Sequence, residues 1–324
     1  MAASMKALRM TRESPSSPPA LSLETVAKPT ATPGHVLVKV HASAVHPSDR
    51  FNAKGFFPIT TYPRIPGRDY SGTIVDGPKH RIGQVVYGTS GSMLGFTADG
   101  VHAEYCLVPE DAVSPKPSNL STLQAATVGV PFTTALLCLR RARATPEDVV
   151  LVLGATGAVG SAVVQVAKAM GCKRVLTASR RDNTDVNVVK DPALKTVASL
   201  TADKGADVVI DTVGDLSLMK AALGVLAVKG RYAWIAAPKG GGSTDLTFDT
   251  FQAYRKEHVL VGCNTLNYTI AEMADMMREM QKWFESGKMT AKAEDELVVA
   301  RLDDAVEAYG RDPAGKLLVI AIDE

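Results

Sequence analysis

The chain has 324 residues, of which 46% are hydrophobic and 22% charged, and 36 Lys and Arg against 34 Asp and Glu leave a net charge of +2. That length exceeds one typical domain and suits two, and the composition excludes a disordered, collagen-like or coiled-coil chain. The basic residues are scattered rather than run together, so no nucleic-acid footprint is indicated.

The N-terminal stretch lacks the apolar core of a signal peptide, which makes a cytoplasmic protein the expectation. Residues 5–12 and 35–43 alternate with the period of strands around a Ser/Pro-rich loop at 14–19. Short β-type runs at 71–75, 84–88 and 103–109, separated by Gly, Pro and Asp turns, make the first third a compact antiparallel β region with little helix. Residues 88–100 hold four glycines, and a mobile loop able to cover a cleft is expected there. His102, Glu104 and Cys106 alternate and could share one strand face. With no second cluster and no C-x-x-C pair among Cys106, Cys138, Cys172 and Cys263, metal ligation is not expected.

Ser121 with Gln124 marks a helix start, and an apolar run follows to Leu139. Two uncharged stretches, 118–139 and 149–167, do not read as membrane spans, because Asn119, Gln124 and Pro131 interrupt the first and glycines the second. From Val149 onward strands (149–154, 174–179, 206–214, 230–237, 258–264) alternate with helical patterns, the signature of a parallel sheet covered by helices. Thr269 and Glu272 open a helix whose stripe of Met273, Met276, Met277, Met280, Trp283 and Phe284 reads as packing, closed by Gly287. The tail reads strand, helix, strand and could return to the first domain. Within it, residues 310–316 copy most of a phosphate-binding loop, but Leu317 replaces the magnesium-binding Ser/Thr and a strand follows.

Chemistry concentrates at Gly154, Gly157 and Gly160, between a buried strand and an amphipathic helix. Small residues there let backbone approach a pyrophosphate whose charge rests on the helix N-terminus, the arrangement of a dinucleotide site. A site for NAD places a carboxylate at the end of the next strand. Here that strand ends in Ser179, Arg180 and Arg181, and guanidinium groups with no opposing carboxylate predict NADPH.

PGHVLVKVHASAVHPSD (33–49), IPGRDYSG (65–72), GVHAEYCLVP (100–109), the GATGAVG turn (154–160), GADVVIDTVG (205–214) and GKLLVI (315–320) together resemble a zinc-independent medium-chain dehydrogenase/reductase of the zeta-crystallin-like quinone oxidoreductase group. The resemblance implies an α/β protein: a GroES-like β-rich catalytic domain from 1–124 and 268–324, and a Rossmann doubly wound parallel sheet over 125–267, with NADPH in the cleft between them. Zinc-dependent relatives place a cysteine near 46 and G-H-E from 67. This chain has His46 and Gly67-Arg68-Asp69, so no metal is expected.

Carried over by position, Asp49 and His46 are candidate catalytic residues lining the nicotinamide end, with Tyr62 the nearest phenol able to give a proton. Thr134 matches a threonine near the nicotinamide ribose, and Ala158 and Val159 should present N–H groups to the pyrophosphate. Ala236 and Ala237 stand after the fifth strand, Asn264 and Leu266 after the sixth. Between 181 and 191 a helix common in relatives is missing. The implied activity is hydride transfer from NADPH to quinones or α,β-unsaturated carbonyls, by a homodimer that needs neither membrane nor nucleic acid. The alternatives are an enoyl-thioester or trans-acting enoyl reductase, and a catalytically weak NADPH-binding sensor or RNA-binding protein.

Overall fold

The computed structural model describes residues 3–238, 242–311, 313 and 315–322. By its contacts the chain divides into two compact units, Met1–Thr133 with Leu266–Glu324, and Thr134–Thr265.

The first unit opens with the hairpin β1 (Ser4–Thr11) and β2 (Ala20–Ala27), followed by β3 (His35–Val45), α1 (Pro47–Ala53), β4 (Tyr70–Asp76), β5 (Val85–Gly88), β6 (Tyr105–Pro109), β7 (Ser114–Pro115) and the single turn α2 (Thr122–Ala125). β3 is the spine of a sheet ordered β14-β15-β3-β4-β5-β7, with β6 also paired to β3. Its Val36, Val38 and Val40 are fully buried with Tyr70, Ile74, Val86 and Val108, the pattern of a strand with packing on its core face. The apolar run after Ser121 is not one helix. Ser121 and Gln124 close a capping box on α2, and a separate α3 (Gly129–Arg141) follows.

The second unit is β8 (Val149–Leu153), α4 (Ala158–Ala169), β9 (Arg174–Ser179), β10 (Val186–Asn187), α5 (Thr196–Leu200), β11 (Ala206–Asp211), α6 (Leu216–Gly224), β12 (Leu226–Trp234), α7 (Thr250–Arg255) and β13 (Val259–Gly262). All six strands are parallel, in the order β10-β9-β8-β11-β12-β13. Val150, Leu151, Val152 and Leu153 are all fully buried, as a central parallel strand with both faces covered requires. The connection from β9 to β10 contains no helix: the chain turns back at 180–185, and Asp185 Oδ2 accepts from both N (2.7 Å) and Oγ1 (2.6 Å) of Thr177 on the exposed edge.

The chain then re-enters the first unit through α8 (Ile270–Glu285), β14 (Leu297–Arg301), α9 (Ala305–Gly310) and β15 (Leu317–Ala321), with β15 antiparallel to β3. Thr269 and Glu272 cap α8, which buries Met273, Met276, Met277, Met280 and Phe284. The phosphate-loop look-alike runs straight into β15, and its Asp312 and Ala314 lie outside the described residues. The unit boundaries fall inside α3 and inside the 3-10 turn Thr265–Asn267, rather than after 124 and 267, so Leu266 belongs to the first unit.

The glycine-rich segment 88–100 is a correction. Leu94 and Phe96 are fully buried or nearly so, and a Cβ on Gly100 would lie 2.2 Å from the Gly67 carbonyl oxygen. Gly95 and Gly100 serve close backbone packing against Gly67, in place of the mobile lid expected there. Among the described residues no helix is long and apolar enough to cross a membrane.

Candidate functional site

In the second unit the sheet ends at a cavity of about 720 Å³, within the range of small-molecule and cofactor sites. Gly154, Thr156 and Gly157 form one wall, Ser179 and Arg180 another, and Thr212, Val213, Asp215 and Leu218 a third. The three glycines of the turn have three different causes. Gly154 has φ +77°, and a Cβ there would meet Thr212 Oγ1 at 2.5 Å; a Cβ on Gly160 would meet the Gly154 carbonyl oxygen at 2.1 Å, so helix and turn pack without side chains. At Gly157 the nearest protein atom would be 3.3 Å away. Gly157, which borders the cavity, is the least constrained of the three, its one close neighbour being the Gly154 carbonyl oxygen.

Gly157 is the N-cap of α4, and the first bond inside that helix is Ser161 N–H to the Gly157 carbonyl (2.9 Å). The N–H groups of Ala158, Val159 and Gly160 therefore have no acceptor within the helix and carry the positive end of its dipole. Ser179 is buried and shapes the turn after β9, its Oγ accepting from Arg181 N–H at 3.0 Å. Arg180 borders the cavity, whereas Arg181 is exposed and outside its lining. Asp182, the nearest carboxylate in sequence, is turned to Lys190 (2.6 Å) and Asn187 (2.7 Å). The residues present thus fit an anionic dinucleotide.

Of the other expected contacts, Thr134 is buried on α3, Ala236 and Ala237 follow β12, and Asn264 is exposed after β13. A Cβ on Gly214 would lie 2.5 Å from the Ala236 carbonyl carbon, which sets the turn after β11 directly against Ala236. Sequence reasoning missed Val188 and Pro192, which line the cavity from the segment replacing the missing helix, and Asp215, the N-cap of α6. The only signal for Asp215 was its place after the strand-ending TVG.

In the first unit His46, Asp49, Arg68 and Asp69 form a buried polar cluster around the start of α1. Asp49 Oδ2 accepts the His46 N–H (2.8 Å), and its Oδ1 accepts from Arg68 Nε (2.7 Å), with both side chains at most 4% exposed. Arg68 also donates to Ser48 Oγ. Burial alone would raise the Asp49 carboxyl; Arg68, His46, His102 and the His46 N–H outweigh it and hold it below the usual carboxylate range. Asp69 Oδ2 meets His46 Nε2 at 2.6 Å and accepts Val130 N–H at 2.7 Å, while its Oδ1 accepts from Thr89 Oγ1. Beside them His102 is pushed down to about 4 by burial, and its Nδ1 lies 3.0 Å from the Tyr309 hydroxyl.

This cluster does not fit zinc. The carboxylates are committed to a guanidinium, a histidine, a hydroxyl and backbone N–H groups. Among the described residues no three His, Cys, Asp or Glu are placed to hold a metal. Tyr62 lies elsewhere, near the end of β1, with the Arg12 guanidinium 5.8 Å from its ring centre. Burial raises its phenol, opposed by Arg12. No hydrogen bond joins it to His46 or Asp49.

Residues 32–118 match the family described as alcohol dehydrogenase GroES-like domain, and residues 158–282 that described as zinc-binding dehydrogenase. The chain is 48% identical over 305 residues to the zinc-type alcohol dehydrogenase-like protein C337.11 of Schizosaccharomyces pombe, covering 94% of this chain and 93% of that one. It is 26% identical over 316 residues to the quinone oxidoreductase of Homo sapiens, covering 91% and 92%. Among solved structures, an alcohol dehydrogenase superfamily protein from Novosphingobium aromaticivorans superposes with a TM-score of 0.82 at 26% identity, covering 98% of this chain and all of that one. With a GroES-like β unit and a six-stranded parallel unit bearing a dinucleotide turn, the chain belongs to the medium-chain dehydrogenase/reductase family, oxidoreductases that bind a nicotinamide cofactor.

Proposed function

We propose that the protein is an NADPH-dependent reductase of quinones or α,β-unsaturated carbonyls that works without a metal. The observation that carries the reading is the cavity at the Gly154–Gly160 turn, walled by Arg180, with Asp182 turned to Lys190 and Asp215 holding the Leu218 N–H as the cap of α6. When bound, NADPH supplies a hydride. The N–H groups of Ala158 and Val159 would hold the pyrophosphate, and Arg180 would take the 2′-phosphate through charge-assisted hydrogen bonds. Val188, Pro192 and Leu218 give the same cavity apolar surface for a purine face.

The choice of acceptor follows from the His46–Asp69 and Arg68–Asp49 pairs. A simple carbonyl needs an electrophile to take the charge that hydride transfer creates, and zinc does not fit this cluster. A quinone or enone spreads that charge through its own conjugation. Likeness to the human quinone oxidoreductase supports the same class. The proton for an enolate product comes from solvent, since His46 is committed to Asp69 and Asp49 to Arg68.

NADPH consumption against phenanthrenequinone, benzoquinone, a short enal, an enone and a 2-enoyl thioester tests the reading. Quinone or enone turnover is expected. Tight NADPH binding without oxidation of any acceptor would refute it, and preference for the thioester would favour an enoyl-thioester reductase. We also propose a cytoplasmic homodimer. Support comes from β13, the last strand of its sheet, which exposes Val259 and Leu260 at a free edge. A monomeric mass at micromolar concentration would overturn it.

A further inference from the structure

A cavity of about 600 Å³ opens in the first unit, within the size range of small-molecule sites, and shares no residue with the cavity at the glycine turn. One wall is the face of the β1–β2 hairpin that carries Met5, Arg9, Glu24 and Val26, and Met93 and Leu107 add apolar surface. Arg9 is half-buried, and among the described residues it makes no hydrogen bond or ion pair. Strand register places its opposite charge nearby. Arg9 pairs with Ser22 and Ala7 with Glu24, so Arg9 and Glu24 are diagonal neighbours on one face, about 7–8 Å apart. Ser22 Oγ donates to Glu24 Oε1 at 2.7 Å, which fixes that carboxylate and leaves Oε2 uncommitted among the described residues. Other polar groups of the wall are already engaged. Asp99 Oδ1 accepts from Ile65 N–H (3.0 Å) and Arg64 Nη1 (3.1 Å), His35 Nδ1 lies 3.2 Å from Thr32 Oγ1, and the Lys28 ammonium sits 3.6 Å from the centre of the Tyr105 ring.

We propose that this cavity binds a free α-amino acid with a large apolar side chain, its carboxylate on Arg9, its ammonium on Glu24 and its side chain against Met5, Val26, Met93 and Leu107. Each wall charge excludes a simpler ligand. Glu24 repels the lone anion that Arg9 would attract, and Arg9 repels the lone cation that Glu24 would attract. A zwitterion satisfies both and, like the pair that holds it, carries no net charge.

The spacing selects the α-amino acid among zwitterions. Its two charged groups are about 3 Å apart, and a charge-assisted hydrogen bond of about 2.8 Å at each end spans the distance between diagonal neighbours on a hairpin. A dipeptide separates its charges by one further residue, about 3.5 Å, and overshoots. The partial burial of Arg9 and Glu24 strengthens both contacts relative to an open surface, since fewer waters screen them. A small polar amino acid would leave the surface of Met5, Val26, Met93 and Leu107 uncovered.

The test is titration calorimetry on the full chain with leucine, methionine and phenylalanine, each up to about 10 mM. Isocaproate, which lacks the ammonium, and leucinamide, which lacks the carboxylate, are the one-charge probes. Leucine is expected to bind at least about tenfold more tightly than either, the effect of one charge-assisted hydrogen bond. Arg9→Gln should weaken leucine at least about tenfold and leave leucinamide no weaker than in wild type. Arg9 has no partner to lose, so this variant should keep the wild-type melting temperature. Glu24→Gln should weaken leucine likewise and tighten isocaproate, from which it removes a repulsion. The proposal is overturned if none of the three amino acids binds in that range, if isocaproate or leucinamide binds as tightly as leucine, or if both variants bind leucine like wild type. Calorimetric heats read the outcome whether or not the protein reduces quinones.

Discussion

Removing the Asp49 carboxylate is the sharpest perturbation of the buried cluster. Asp49→Ala leaves the Arg68 guanidinium, whose side chain is 4% exposed, with Ser48 Oγ as its remaining polar contact, and it strips the His46 N–H of its acceptor. Breaking a buried ion pair on one side costs about 3–5 kcal/mol, because the other charge stays desolvated and unpaired. For a unit of this size that lowers the melting temperature by roughly 6–20 °C. The chain has two tryptophans, Trp234 in the second unit and Trp283 in α8 of the first. In a Trp234→Phe background, Trp283 fluorescence reports the first unit alone. The double variant Asp49→Ala with Arg68→Met removes the orphaned charge and keeps an apolar chain against Phe96, whose ring centre lies 5.5 Å from the guanidinium carbon. It should recover all but about 1 kcal/mol, the remainder being the lost His46 hydrogen bond. A double variant as unstable as the sum of its parts would refute the reasoning. The sign of the pH dependence is also fixed. Asp49 is lowered in the folded state, so its contribution is complete above the ordinary carboxylate value of 3.8 and is lost only as pH falls through the folded value. Wild type and Asp49→Ala should therefore differ by a constant amount from pH 5 to pH 7, about a two-unit window, and converge in stronger acid.

The glycine turn should respond unevenly. Gly160→Ala places a methyl 2.1 Å from a carbonyl oxygen and should lower stability by about 3 kcal/mol or more in denaturant titration. Gly157→Ala meets only one oxygen at 3.3 Å, so it should melt like wild type while weakening NADPH about tenfold in a fluorescence titration. Arg180→Ala should raise KM for NADPH roughly 10- to 150-fold, the range of a charge-assisted hydrogen bond worth about 1.5–3 kcal/mol, and leave KM for NADH within about twofold. If both cofactors weaken alike, Arg180 does not read the 2′-phosphate. Tyr62→Phe should keep enone reduction within about threefold of wild type, whereas a loss of about a hundredfold would make Tyr62 the proton donor.

What could be read without coordinates divides along a physical line. Local signals were sufficient where one segment makes its own structure: the capping boxes at Ser121 and Thr269, the methionine face of α8, and the strand–turn–helix around Gly154 depend on neighbours within a few residues. They failed where the partner is distant. The glycines of 88–100 read as flexible because nothing local shows that Gly95 and Gly100 lie on Gly67. Arg68 read only as a missing ligand, because its partner Asp49 lies on another element; so does the third partner of Asp69, the Val130 N–H at the start of α3.

Arg68 also bears on which acceptor the proposed reaction can use. A zinc ion is a Lewis acid because part of its charge remains available to a substrate oxygen in an open coordination position. The Arg68 charge is already taken up by Asp49 at 2.7 Å and by Ser48, in a setting where both partners are almost wholly desolvated. Directing that charge to a substrate would require breaking the pair, at the same cost of about 3–5 kcal/mol that the Asp49 variant measures. Each 1.4 kcal/mol is about a tenfold rate factor, so diverting it would slow the reaction by at least about a hundredfold. A saturated aldehyde, which needs such an electrophile, should therefore be reduced at least about a hundredfold more slowly than the enal of the same length, which does not. Equal rates on the two aldehydes would mean that another group supplies the positive charge, and that neither Arg68 nor its pairing with Asp49 decides the acceptor.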